Sequence, residues 1–217
     1  MENYTSKLLS GLSDELNNYI TYTNSPKTDI DLSIGQLQVP IPTSVKETLM
    51  NGVDLESCNY VSPSGLNKLR EAYKQYLVAS DSKVSLTNTL ITCGAKEAIF
   101  LALSAFTDGS ATLLVPQTCW PGYHLIARGL GLEVVNYAIN RVDWLHNLRS
   151  SIEQFPNSTL VLNTPHNPTG TEIHMNDLIS IVDCCKQKRV AIVLDGVYAD
   201  FTRGRSSLSS QDTIDIL

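Results

Sequence analysis

The carboxylate of Asp195 closes an apolar run, "VAIVLD" (190–195), and Tyr198 follows three residues later. A carboxylate at the end of a buried segment needs a cationic or hydrogen-bonding partner. A protonated ring nitrogen about 4 Å away would contribute roughly 4 kcal/mol of attraction at an effective dielectric of about 20. Kept protonated, such a nitrogen makes its ring an electron sink, and Tyr198 could turn its hydroxyl toward the same ring's oxygen. The alternative is an Asp that caps the following turn. In "NTPHNPTG" (163–170), Pro165 and Pro168 hold the backbone extended around Asn167, and Gly170 releases the chain. The Asn167 amide could donate to a phenolate; a plain turn has the same composition, though seldom this order.

Two further stretches carry possible ligand chemistry. In "TCGAKEAI" (92–99), Gly94, Ala95 and Lys96 open a helix with small residues, so its first amides could cradle a phosphate aided by the helix dipole. A tight strand-to-helix turn looks the same. In "VPQTCWPGY" (115–123), Trp120 could offer a flat face to an aromatic cofactor, or be a core tryptophan.

The elements that must position these residues form a regular rhythm. "TLITCG", "ATLLVP", "LEVVNYAI", "STLVLN" and "VAIVLD" read as strands, and "AKEAIFLALSAF", "PGYHLIARGL", "DWLHNLRSSIEQF" and "MNDLISIVDCCKQK" as the helices between them. The strands are continuous apolar runs rather than alternating ones, which predicts a parallel sheet buried on both faces by crossover helices. Ligands of such sheets bind beyond the carboxyl ends of the strands, where the four stretches above fall. Further toward the N-terminus, Leu8, Leu12, Leu16 and Ile20 predict an amphipathic helix. A segment with three prolines and Gly35 interrupts regular structure, and helices are expected over 43–49 and after "SPSG". The last of these has Leu66, Leu69, Tyr73, Tyr76 and Leu77 on one face.

Other function classes find no support. A formal net charge of −6 leaves no electrostatic footprint for nucleic acid, and the one dense basic run, "KQKR" (186–189), suits a solvated helix end. The Walker spacing GxxxxGK[ST] is absent, and "RGLGLEV" leads into a strand as a helix C-cap does. Five cysteines without a CxxC predict reduced thiols in a cytoplasmic protein. The scattered histidines argue against zinc. No secretory signal is expected, and no apolar run is long enough to span a membrane.

Taken in order, GAKEA, PxxxWPGY, NPTG and DxxY resemble the class I and II aminotransferases of the fold-type I pyridoxal 5′-phosphate (PLP) enzymes. "NYVSPSGLNKLR" is similar to that family's Y-x-x-x-x-G-x-x-x-L-R segment, so the likeness runs over about 30–205. It implies an α/β, three-layer αβα large domain with a mostly parallel sheet, incomplete here, and an N-terminal helical arm. Residues 1–50 would be the arm and part of a small domain, and 51–217 the incomplete PLP-binding domain. Gly94, Ala95 and Lys96 would bind the cofactor phosphate and Trp120 would stack on the ring. Asn167 and Tyr198 would hold the ring oxygen and Asp195 the ring nitrogen. Tyr60 would reach the phosphate of a neighbouring subunit in a homodimer, and Gly35 would lie near the substrate carboxylate. The implied reaction moves an amino group between an amino acid and a 2-oxo acid; decarboxylases, lyases and acyl-transferring synthases share the cradle. Gly196 departs from the acidic residue common at its position.

The family's Schiff-base lysine lies roughly thirty residues beyond the aspartate that matches Asp195, past Leu217. The resemblance therefore implies a chain inactive alone, a non-catalytic PLP-binding remnant, or one that needs a complementing C-terminal chain. It also places two further strands between "TLITCG" and "VAIVLD", a gap of about 14 Å at the usual strand spacing.

Overall fold

Strands form where short apolar runs can pair backbones side by side, and four of the expected runs do so here. A computed structural model describes residues 39–52, 59–77, 86–107, 111–139 and 142–201. The helix expected over 8–20 and Gly35 lie outside them. The chain divides into two compact units, Met1–Ser62 and Pro63–Leu217. The first contributes one described helix, α1 (Thr43–Asn51), which buries none of its residues.

The second unit holds helix α2 (Asn67–Leu77) and then an alternation of helix and strand. Helix α3 (Ala95–Phe106) leads to β1 (Thr112–Pro116), α4 (Gly122–Gly129), β2 (Glu133–Tyr137), α5 (Trp144–Gln154), β3 (Thr159–Asn163), α6 (Met175–Lys188) and β4 (Ala191–Asp195). All strand pairs are parallel, in the order β2-β1-β3-β4. Every residue of β3 is buried, as expected for a strand covered on both faces. Odd and even positions face opposite layers. Leu114, Leu160 and Leu162 meet Leu148 and Ile152 of α5 and Leu178 and Ile181 of α6. Leu113, Val115, Val161 and Val193 meet Ile99 and Leu103 of α3 and Tyr123 and Ala127 of α4. The result is the expected three-layer αβα arrangement. After β1 the chain turns toward β2, and after β3 it turns the other way toward β4. Such a reversal opens a crevice between the carboxyl ends of the two strands.

One expected strand is not a strand. "TLITCG" (89–94) has no ladder among the described residues, and β4 is the sheet edge there. An apolar run becomes a strand only where a neighbouring backbone receives its hydrogen bonds. The Ile91 N–H instead donates to the Ser64 carbonyl at 3.1 Å, and the Gly94 N–H to the Thr92 carbonyl at 2.8 Å. Helix α2 forms as expected, but Leu66, Leu69, Tyr73 and Tyr76 are exposed while Arg70 is buried, with Nη1 donating to Asn67 Oδ1 at 3.2 Å.

The ends of α4 and α6 follow one rule with different residues. The Gly131 and Leu132 amides return to the Arg128 and Ala127 carbonyls with Gly131 at φ 72°, a glycine-terminated C-cap. After α6 the Arg189 and Val190 amides make the same pair of bonds to Lys186 and Cys185. There the left-handed position is held by exposed Arg189, at φ 58°. An L-residue in that region costs roughly 1–2 kcal/mol. Arg189→Gly is therefore expected to raise the unfolding free energy by about 1 kcal/mol, read as a higher urea midpoint at unchanged slope.

Candidate functional site

The face on which Asp195 emerges is fixed by strand parity. Val193 packs toward α3 and α4, so Asp195, two residues on, points to the same side at the carboxyl end of β4. There it is buried and held by two donors. The Tyr123 hydroxyl, in the first turn of α4, donates to Oδ2 at 2.5 Å, and the Val197 N–H donates to Oδ1 at 3.1 Å. Asn163, its register partner on β3, ties the backbone by donating Nδ2 to the Asp195 carbonyl at 2.9 Å.

Asn163 also positions the loop after β3, its Oδ1 accepting the Asn167 N–H at 2.6 Å. The peptide bonds before Pro165 and Pro168 are cis. The Asn167 amide lies 3.4 Å from the Tyr198 hydroxyl, so the two side chains expected to share a ring oxygen converge. Behind them, His166 is 2% exposed and its Nδ1 lies 2.8 Å from Thr169 Oγ1. Burial lowers its pKa, with the Thr118 backbone opposing, so this imidazole is held neutral.

Trp120, in the loop after β1, owes its placement to the absence of a side chain at Gly122. A β-carbon at Gly122 would lie 2.0 Å from the indole ring. Tyr123 meets the ring edge-on, with centroids 5.3 Å apart and an interplanar angle of 89°. The Lys96 ammonium stands 5.8 Å from the indole centroid, within cation–π range. Helix α3 begins at Gly94, whose φ of 86° turns the chain, and no side chain caps its amides. Glu97 reaches back to accept the Cys93 N–H at 2.5 Å. The start of α3 thus presents backbone donors and one ammonium, the usual setting for an anion.

These groups line one cavity of about 160 Å³, whose wall includes Ala95, Lys96, Trp120, Asn167, Asp195 and Tyr198, completed by Ile99, Tyr123 and Val197. Six of the expected cofactor residues therefore share a cleft. Gly94 sets the turn that opens it. Tyr60 belongs to the first unit and is fully exposed. The donor set suits a flat, phosphate-bearing heteroaromatic: anion donors at the start of α3, an aromatic face, two polar groups at one rim and a buried carboxylate at β4. Sequence reading missed Tyr123, Gly122 and Asn163. Only Tyr123 carried a signal, being three residues from Trp120 and so on the same side of a helical turn.

Cys119 lies beside this cleft with Sγ 3.7 Å from His124 Nδ1, and His124 Nε2 is 3.2 Å from Asn136 Oδ1. Burial pushes the thiol up to about 11, so it stays protonated and is no activated nucleophile. Cys93, Cys119, Cys184 and Cys185 are free thiols. No described helix is long and apolar enough to cross a membrane.

A family model described as aminotransferase class I and II matches residues 27–216. Tyrosine aminotransferase of Mus musculus is 28% identical over 186 residues, 82% of this chain and 41% of the relative. Aspartate aminotransferase of Pyrococcus abyssi is 28% identical, with 81% of this chain and 46% of the relative covered. The chain thus spans about half the length of the curated relatives it matches. Among solved structures, aspartate aminotransferase from Thermus thermophilus with maleate superposes with a TM-score of 0.81 at 21% identity, covering 98% of this chain and 58% of that one. Alanine aminotransferase from Pyrococcus furiosus gives 0.77 at 21% identity, covering 96% of this chain and 56% of that one. At that identity the likeness establishes the fold, that of the fold-type I PLP enzymes.

The buried phenols make stability alkali-sensitive. Burial first, and then the charge of Asp195, raise the Tyr123 pKa far above its usual 10.0. Burial does the same for Tyr137, whose hydroxyl donates to the Val161 carbonyl at 2.8 Å. Raised folded pKa values stabilise fully below the unfolded pKa, and the stabilisation is lost as pH climbs past it. Above pH 10.0 the unfolding free energy should fall by about 1.4 kcal/mol per pH unit for each phenol. Tyr123→Phe should remove one share of that slope in urea titrations.

Proposed function

The chain belongs to the class I and II aminotransferases, whose cofactor is PLP, and from that membership we propose that residues 63–217 form the cofactor cleft of an enzyme transferring an amino group between an amino acid and a 2-oxo acid. The observation that carries the reading is the buried Asp195 carboxylate, aimed into the same cleft as the Asn167–Tyr198 pair. When bound, the cofactor supplies an electron-withdrawing ring that stabilises negative charge on a substrate carbon.

Each residue's part follows from its chemistry. The amides of Ala95 and Lys96, with the Lys96 ammonium, bind the phosphate at the start of α3, where Gly94 leaves the approach open. For the indole face of Trp120 to stack on the ring, the Lys96 ammonium must leave its place over that face. Asn167 donates its amide and Tyr198 its hydroxyl to the ring oxygen. Asp195 holds the proton on the ring nitrogen by charge, which burial makes more effective than in water. By family likeness, Tyr60 serves the phosphate of a neighbouring subunit in a homodimer and Gly35 lies near the substrate carboxylate. Residues 1–50 act as arm and part of a small domain, and 51–217 as the PLP-binding domain.

Amino transfer also requires an amine at the cofactor aldehyde to anchor it and to move a proton. Among the described residues Lys96 is the only lysine on the cleft wall, and it stands at the phosphate end. That observation favours a second reading beside the first, in which these residues alone hold the cofactor without a covalent bond and catalysis needs a lysine supplied by further sequence.

Adding PLP to the purified chain tests both. Saturable binding, weakened about tenfold or more by Asp195→Ala, is expected, with no borohydride-stable mass adduct on Lys96. Unchanged affinity in Asp195→Ala would remove the ring-nitrogen role. A stoichiometric adduct on Lys96 would overturn the second reading.

A further inference from the structure

We propose that Tyr123 is the positioning residue for the cofactor's ring nitrogen, its phenol fixing the Asp195 carboxylate in the orientation that meets a protonated pyridine. The inference rests on the cofactor reading above and deepens it by adding a residue that acts through Asp195.

The geometry separates this role from simple core filling. The carboxylate is gripped from two sides, Oδ2 by the Tyr123 hydroxyl from α4 and Oδ1 by the Val197 amide from the turn after β4. A carboxylate has roughly four acceptor directions, so each oxygen keeps one free while rotation of the group would break both bonds. The Tyr123 side chain is itself immobilised: it is fully buried, stands edge-on to Trp120, and its amide donates to the Trp120 carbonyl at 3.2 Å. One residue thereby sets both the stacking indole and the charge facing the ring nitrogen.

Tyr137 provides the contrast. It is almost as buried, at 2% exposed, yet its hydroxyl donates to a backbone carbonyl, that of Val161, which needs no orienting. A phenol that only fills space satisfies its hydroxyl in that way. Tyr123 spends its hydroxyl on the one carboxylate that lines the cleft among the described residues. Its phenol stays protonated across the working range of pH, for the reasons of burial and neighbouring charge given above, so it is a permanent donor.

Binding of two probes to the full chain tests the assignment without turnover. Pyridoxamine 5′-phosphate carries the ring nitrogen and needs no lysine; its carbocyclic analogue has CH in place of that nitrogen. Dissociation constants from fluorescence or calorimetric titration are compared for wild type, Tyr123→Phe and Tyr137→Phe. Tyr123→Phe is expected to weaken pyridoxamine phosphate about tenfold and to leave the carbocyclic probe within about twofold. Tyr137→Phe should change neither. Equal weakening of both probes by Tyr123→Phe would reduce the residue to packing and overturn the proposal, as would no weakening of either. A wild-type chain that binds neither probe overturns the cofactor reading itself, and the proposal with it.

Discussion

A buried carboxylate held at the end of a strand is the constraint around which this molecule is arranged. Left unpaired, a carboxylate buried as Asp195 is would cost about 3–5 kcal/mol, a large share of the net stability of an ordinary domain. The Asp195 carboxylate is held by Tyr123 on α4 and by the Val197 amide just after β4, while Asn163 on β3 holds the backbone carbonyl of the same residue. Each partner is also committed elsewhere. Tyr123 braces Trp120, and Asn163 anchors the loop that carries Asn167. Satisfying the charge thus aligns the aromatic face with the carboxylate, and the backbone bond to Asn163 ties the polar rim to the same residue.

The crossover pattern supplies the room. Because the connections after β1 and β3 leave in opposite directions, Trp120 and Asn167 flank a crevice that a uniformly wound sheet would close. Helix α3 then lays its uncapped amino end against that crevice. Positive potential at that end and a carboxylate at β4 give the cleft a polarity along its length. A ligand with an anion at one end and a protonated nitrogen at the other has only one way to lie in it.

Much of this was legible in the residue order. The apolar runs of β1, β3 and β4 announce a sheet buried on both faces, and the turn residues beyond them mark the site end. What could not be read has physical causes. "TLITCG" is an apolar run like the others, but composition does not say whether a neighbouring strand will pair with it, and none among the described residues does. The stripe of Leu66, Leu69, Tyr73 and Tyr76 gives the period of α2 correctly, but not which side is covered; Arg70 is the buried one. Tyr123 reads as part of an amphipathic helix, and nothing in its local sequence points to an acid 72 residues away. Gly122 matters through the ring it makes space for, a reason visible only once Trp120 has a place.

The pairing of Asn163 with Asp195 at the last rung of β3 and β4 governs which kinds of genetic change the site tolerates. Successive residues of a strand face opposite layers, so deleting or inserting one residue within β4 would send the carboxylate toward α5 and α6, among leucines and cysteines. Substitutions at Ile192 or Leu194 leave the register intact and alter packing alone. Variation in this stretch should therefore accumulate as replacements at constant length, while length changes collect in the exposed connections. Strand length here acts as a ruler, and the chemistry depends on its count as much as on the residue at its end.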